Sequence, residues 1–140
     1  MVIDTCVWVA AVRSRRGASF ALLSEIPSRR FHFGTSVALF LEYRAQLTHA
    51  VARGSTTLSP LQIDTILAAL AYHTVEVPIF YRLRPNLKDA NDDKVFECAA
   101  HFGADAIVTH NTRDFLNSEL NYQHDVLSPG EFLQRMRRDT

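Results

Sequence analysis

Asp92-Asp93-Lys94-Val95-Phe96-Glu97-Cys98-Ala99-Ala100-His101-Phe102-Gly103-Ala104-Asp105-Ala106-Ile107-Val108-Thr109 is the stretch whose reading settles the fold. Val95, Phe96 and Ala99 follow Asp92 by three, four and seven residues, which places them on one face of a helix. Asn91 or Asp92 opens that helix. Gly103 stops it, because glycine takes the left-handed backbone at a helix end without a Cβ clash. Residues 106–109 then read as a buried strand. A helix, a tight stop and an apolar strand are the second half of a βαβ unit.

The same alternation runs outward in both directions. Residues 1–4, 31–34, 75–78 and 126–127 read as further strands, with Pro78 closing the third. Helices are expected near 7–12, at 18–26, and at 37–53, capped by Thr35 or Ser36 and ended by Gly54. Ser59-Pro60 starts a helix to about 73, and Ser128-Pro129 starts another to about 138, each an N-cap followed by proline at the first helical position. Residues 84–91 and 110–114 read as a polar loop and a polar turn. Strand alternating with helix over 140 residues predicts one α/β domain with a mostly parallel sheet flanked by helices.

Hydrophobic residues make up 47% of the chain, enough for a core, so disordered and fibrous classes are set aside. No apolar run is long enough to span a bilayer, and the start lacks the basic and apolar segments of a secretory leader. Cys6 and Cys98 are far apart and not in a paired-ligand spacing, which fits a reducing cytoplasm and argues against structural zinc. The net charge is zero, so a uniformly basic nucleic-acid coat is unexpected. Charge is nevertheless uneven. Residues 1–58 carry seven arginines against three acids, and residues 89–125 carry eight acids against two bases. One region could meet phosphate and another hold cations, although solvated faces would look the same.

The carboxylates carry the functional argument. Sites in open parallel sheets form beyond the carboxyl ends of strands. Asp4 ends the first strand, and Asn111 and Asp114 follow the fourth. Asp92 starts a helix whose apolar face turns inward, as a plain N-cap would also do. Asp93, a step around over Glu97 and Ala100, reads as more exposed. Glu42 lies in mid-helix beside Ala38, Leu39 and Ala45, where an ionised carboxylate needs a partner or a cation. Converging carboxylates stay ionised together only with compensating positive charge. Oxygen donors select Mg²⁺ or Mn²⁺, and such ions imply phosphoryl chemistry.

With these residues in place, the chain resembles a PIN-domain nuclease, of the type that forms the toxin component of prokaryotic toxin–antitoxin systems. The resemblance rests on Val2-Ile3-Asp4-Thr5, on Thr35-Ser36 through Leu41-Glu42-Tyr43, on Asp92 through Ala99, and on Gly103 through Phe115. It implies a doubly wound fold and divalent-metal-dependent cleavage of RNA. It places metal-binding acids at Asp4, Glu42 and Asp92, with Asp114, or Asn111 beside it, as the fourth catalytic position. Thr5 and Thr109 become supporting hydroxyls, and Asp89 and Asp93 supporting or plain loop acids. It further implies a cognate antitoxin and a homodimer. Two departures stand out: Cys6 replaces the asparagine usual after Asp-Thr, and Asn111 is neutral where many relatives carry an acid. A PIN fold that binds RNA or protein without catalysis, and a housekeeping RNA-processing nuclease, are the competing readings.

Other groups weigh less. An aspartyl-phosphate enzyme would need an acid at position 6. Cys6 and Cys98 lack the context of a nucleophile, and Cys98 among Ala99 and Ala100 reads as core. His110 adjoins the expected site, as an RNA contact or as a loop residue. Arg13, Arg15 and Arg16 either hold an RNA backbone or solubilise a loop. Arg135, Arg137 and Arg138 suit the end of a helix by charge. Trp8 reads as core or dimer interface.

Overall fold

A computed structural model describes residues 1–80, 90–116 and 124–139, the side chains of 90–92 and 116 excepted. The elements are β1 (Val2–Ile3), α1 (Thr5–Arg13), α2 (Ala18–Glu25) and a 3-10 turn (Ile26–Ser28). They continue with β2 (Gly34–Thr35), α3 (Val37–Ala52), α4 (Pro60–His73), β3 (Val75–Glu76) and α5 (Ala90–Phe102). β4 (Ala106–Val108), α6 (Thr112–Leu116), β5 (Asp125–Leu127) and α7 (Pro129–Arg138) complete the set. The loop expected at 84–91 lies mostly outside the described residues.

Local chemistry explains the best-defined boundaries. Ser59 accepts from the Gln62 amide while the Gln62 side chain accepts from the Ser59 amide, and Ser128 and Glu131 repeat that reciprocal cap. Ser36, rather than Thr35, caps α3 by accepting from Leu39 N. Gly103 ends α5 at a φ of 66°, where a side chain would be strained. α1 begins directly at Thr5, because Asp4 takes the extended backbone of an N-cap.

Every pairing among the described strands is parallel: β1 with β4, β4 with β5, and β2 with β3. The three-stranded and two-stranded ladders meet where Gly34 N–H donates to Met1 O at 2.9 Å. Read across, the order is β3-β2-β1-β4-β5. The chain therefore winds from β1 outward to β3, returns past β1, and winds outward again through β4 to β5. This is the doubly wound arrangement, and its direction reverses between β1 and β4. β2 begins later than expected. Phe31 and Phe33 supply the apolar signal, but Phe33 is core and accepts from Val75 N–H at 2.9 Å, while the paired register begins with Gly34 opposite Val75. Gly34 is also a point of close approach: a Cβ there would sit 2.7 Å from a Phe102 ring carbon and 2.8 Å from Val77 Cγ2.

The core centres on Trp8, fully buried and edge-on to Phe33 at 6.2 Å and to Tyr43 at 6.3 Å. Trp8 is therefore core in this chain. Its indole N–H closes no hydrogen bond among the described residues, and burial pushes the neighbouring Tyr43 hydroxyl well above its usual range. Tyr43 donates its own hydroxyl to Ile3 O, which ties α3 to β1.

Two expectations need correction. Residues 110–114 are not a plain turn, since α6 starts at Thr112. Asp93 is not exposed. It retains 2% of its surface and Glu97 retains 4%. The reason is that α5 packs against β1, β2 and β4 and also against α3, so burial extends well beyond the single apolar stripe. Neither acid is without a polar or charged partner.

Candidate active site

The register of β1 against β4 sets Ile3 opposite Val108, and Asp4 N–H continues the ladder to Val108 O at 2.9 Å. Asp4 and Thr109 therefore leave adjacent strands at the same level, at the point where the winding reverses. Thr109 is fully buried. Its hydroxyl donates to Asp4 Oδ2 at 2.7 Å and accepts from Asn111 N at 2.9 Å. The Cys6 thiol donates to the same Oδ2 at 3.2 Å and lies 3.6 Å from the Thr109 hydroxyl. His110 N–H donates in turn to Cys6 Sγ at 3.5 Å.

Burial dominates the electrostatics. Asp4 is 5% exposed, and desolvation raises its pKa above the usual carboxylate value. Thr109 and Cys6 work against that rise. The amides of Thr5 and Cys6 add to their effect without closing a capping hydrogen bond. The Cys6 thiol is pushed up to about 12, first by burial and then by the Asp4 charge. It stays protonated at neutral pH and serves as a donor to Asp4, which removes it as a nucleophile. Cys98 rises to about 11, also through burial, and its thiol points to Gly34 O at 3.8 Å.

Glu42 comes from the middle of α3 and is 9% exposed; it accepts from the Thr5 hydroxyl at 2.9 Å. One helical turn on lies Gln46. Asp4, Thr5, Cys6, Val9, Ala10, Arg13, Glu42, Gln46, His110 and Asn111 line a cleft of about 460 Å³. Cys6, Val9, Ala10 and Arg13 recur at helical spacing, so α1 supplies one wall with a single face, and α3 supplies another. The mouth is open, which suits a polymer better than a small enclosed ligand.

The structure separates some residues that the sequence grouped. Arg13 lines the cleft, whereas Arg15 and Arg16 lie beyond the end of α1 and are exposed. Asn111 lines it too, but Asp114 sits exposed in the first turn of α6. Asp92 lies in the first turn of α5, and its side chain is outside the described residues. Asp89 is outside them altogether. Among the described residues no three His, Cys, Asp or Glu side chains form a metal-binding group. Sequence reasoning passed over Gln46, although its position four residues after Glu42 was a usable signal. It also passed over Ser19, which bonds to His110 at 2.8 Å from 91 positions away.

The doubly wound sheet with a buried carboxylate at its reversal point defines an α/β protein with a polar cleft at the carboxyl edge of its strands. The PIN-domain family profile matches residues 1–113, and the chain belongs to the PIN-domain family. The match takes in Asp4, Glu42, Asp92 and Asn111 and stops one residue short of Asp114. Proteins of this family are generally nucleases that use divalent metal ions. A search of curated proteins returned no match.

Proposed function

We propose that the protein is a divalent-metal-dependent endoribonuclease that hydrolyses RNA phosphodiester bonds in the cleft between β1 and β4. One observation carries this reading: Asp4 and Glu42, from separate elements, are buried in a single cleft at the reversal point of the sheet, joined through Thr5. Two acids facing a shared space with oxygen donors fit a hard cation. The residues that would hold Mg²⁺ or Mn²⁺ are Asp4 and Glu42, with Asp92 and with Asn111 or Asp114. When bound, such an ion supplies charge opposite the phosphate oxygens and an activated water.

The remaining steps belong to the chain's own groups. Thr109 and Cys6 fix Asp4 Oδ2 and so hold the carboxylate that would take part in binding the cation. Thr5 orients Glu42. Arg13 at the rim offers a fixed positive charge to a backbone phosphate. The toxin role, a cognate antitoxin, self-association as a homodimer, a single domain over 1–140 and a cytoplasmic setting belong to the same proposal. Their support is the PIN-domain membership together with the resemblance of the motifs. No helix among the described residues is long and apolar enough to cross a membrane. A non-catalytic RNA-binding PIN module is the second reading, favoured by the exposure of Asp114 and by a protonated thiol at position 6.

Cleavage of a labelled RNA pool by wild type and by Asp4→Asn, with Mn²⁺ and with chelator, tests the proposal. Cleavage confined to wild type plus metal is expected, with a loss of at least about a hundredfold in the variant. Equal cleavage by both proteins, or none by folded wild type, would overturn it.

A further inference from the structure

His110 is an exposed side chain held as firmly as a buried one. Its imidazole Nε2 lies 2.8 Å from the hydroxyl of Ser19, a residue on α2 with only 3% of its surface exposed. Its backbone N–H is fixed to Cys6 Sγ, and its neighbour Thr109 is fixed to Asp4. The ring is thus held at Nε2 by Ser19, its backbone is tied to the network that places Asp4, and the residue lines the same cleft as Asp4, Glu42 and Arg13. Among the described residues Nδ1 has no partner. α2 also packs against α1 and α7.

We propose that His110 is a substrate-contacting residue whose Nδ1–H donates to a non-bridging oxygen of an RNA phosphodiester, and that Ser19 is the positioning residue which sets its tautomer. The proposal rests on the ribonuclease reading and adds a phosphate contact that is independent of the metal. The chemistry of the ligand selects the ring state. A phosphodiester oxygen only accepts. If Ser19 donates its hydroxyl hydrogen to Nε2, the remaining hydrogen of the neutral ring resides on Nδ1. A donor then faces the cleft without any proton uptake. Arg13 lines the same cleft and offers a second donor there.

The alternative is that the Ser19–His110 bond only braces the fold. The two roles use different ring nitrogens, and amide side chains separate them. The Asn amide occupies the place of Nδ1, and the Gln amide reaches that of Nε2. The experiment measures fluorescence anisotropy of a labelled mixed-sequence single-stranded RNA, in chelator and in Ca²⁺. It uses wild type, His110→Ala, His110→Asn, His110→Gln and Ser19→Ala, with melting temperatures taken alongside. Loss of a hydrogen bond to a charged group predicts roughly tenfold to hundredfold weaker binding for His110→Ala and His110→Gln. His110→Asn should bind within about threefold of wild type, and Ser19→Ala should fall between, on the same measure of one bond's worth. Wild-type affinity in His110→Ala overturns the proposal, as does rescue by Gln and not by Asn, or the absence of RNA binding by wild type in both conditions. Asp4-dependent cleavage with no effect at His110 would sink this inference and leave the nuclease reading intact. The expected His110 pattern in a protein that cuts no RNA would do the reverse.

Discussion

The cleft between β1 and β4 and the outer edge formed by β5 and α7 treat an aspartate in opposite ways. At the edge, Asp125 is exposed and accepts from the Arg135 guanidinium at 2.8 Å. Its charge is compensated by a cation and by water. In the cleft, Asp4 is buried and held by a hydroxyl and a thiol, and its pKa is raised by desolvation. The edge illustrates an ordinary surface ion pair, worth little. The cleft illustrates a carboxylate kept where it costs stability, which is reasonable only if something positive arrives there.

Three measurements would break or sharpen that contrast. The largest effect is expected from metal. Millimolar Mn²⁺ that binds only the native state should raise the melting temperature of wild type, by about 2.7 kcal/mol of stability at a hundredfold excess over the dissociation constant. Asp4→Asn should show almost none of this gain. An equal shift in both proteins would place the ion elsewhere.

A smaller effect, of opposite sign, is expected without metal. The folded pKa of Asp4 lies above its ordinary 3.8. Its contribution to stability is therefore intact below that value and is lost as pH rises through the raised one. Asp4→Asn escapes that loss. In chelator the variant should match wild type near pH 4 and exceed it toward neutrality, by about 1 kcal/mol or a few degrees. Equal melting curves at pH 7 would mean that burying this charge costs nothing.

The smallest effect belongs to the edge. Asp125→Asn should change stability by less than about 1 kcal/mol and fade further in high salt, read by denaturant midpoint. A large, salt-resistant loss would erase the distinction between the two regions.

What could be read from sequence divides along the same line as what is local. The starts of α4 and α7 were legible because Ser59-Pro60-Leu61-Gln62 and Ser128-Pro129-Gly130-Glu131 carry their whole cap within four residues. The ends of α3 and α5 were legible because Gly54 and Gly103 are the residues that tolerate positive φ there. Asp4 and Glu42 could be singled out because a strand end and an apolar helix stripe are both visible in the chain. The burial of Asp93 and Glu97 was not legible, since it depends on three strands and a second helix closing around α5. Nor was the Ser19–His110 bond, for nothing near either residue signals the other. Why Asn111 enters the cleft while Asp114 does not was hidden in α6, a five-residue helix that turns Asp114 outward.

The bond from Thr109 to Asp4 joins positions 105 apart, and β1 finds its partner β4 across the same span. Loop closure over such a distance is slow, and contacts of this kind form late in folding. The carboxylate at position 4 is synthesised long before the hydroxyl that anchors it. During translation, a nascent chain that has not yet extended past β4 holds α1, α2 and α3 but has no assembled cleft. Any catalytic power of this protein is thereby withheld until β4 and Thr109 have been made and paired with β1.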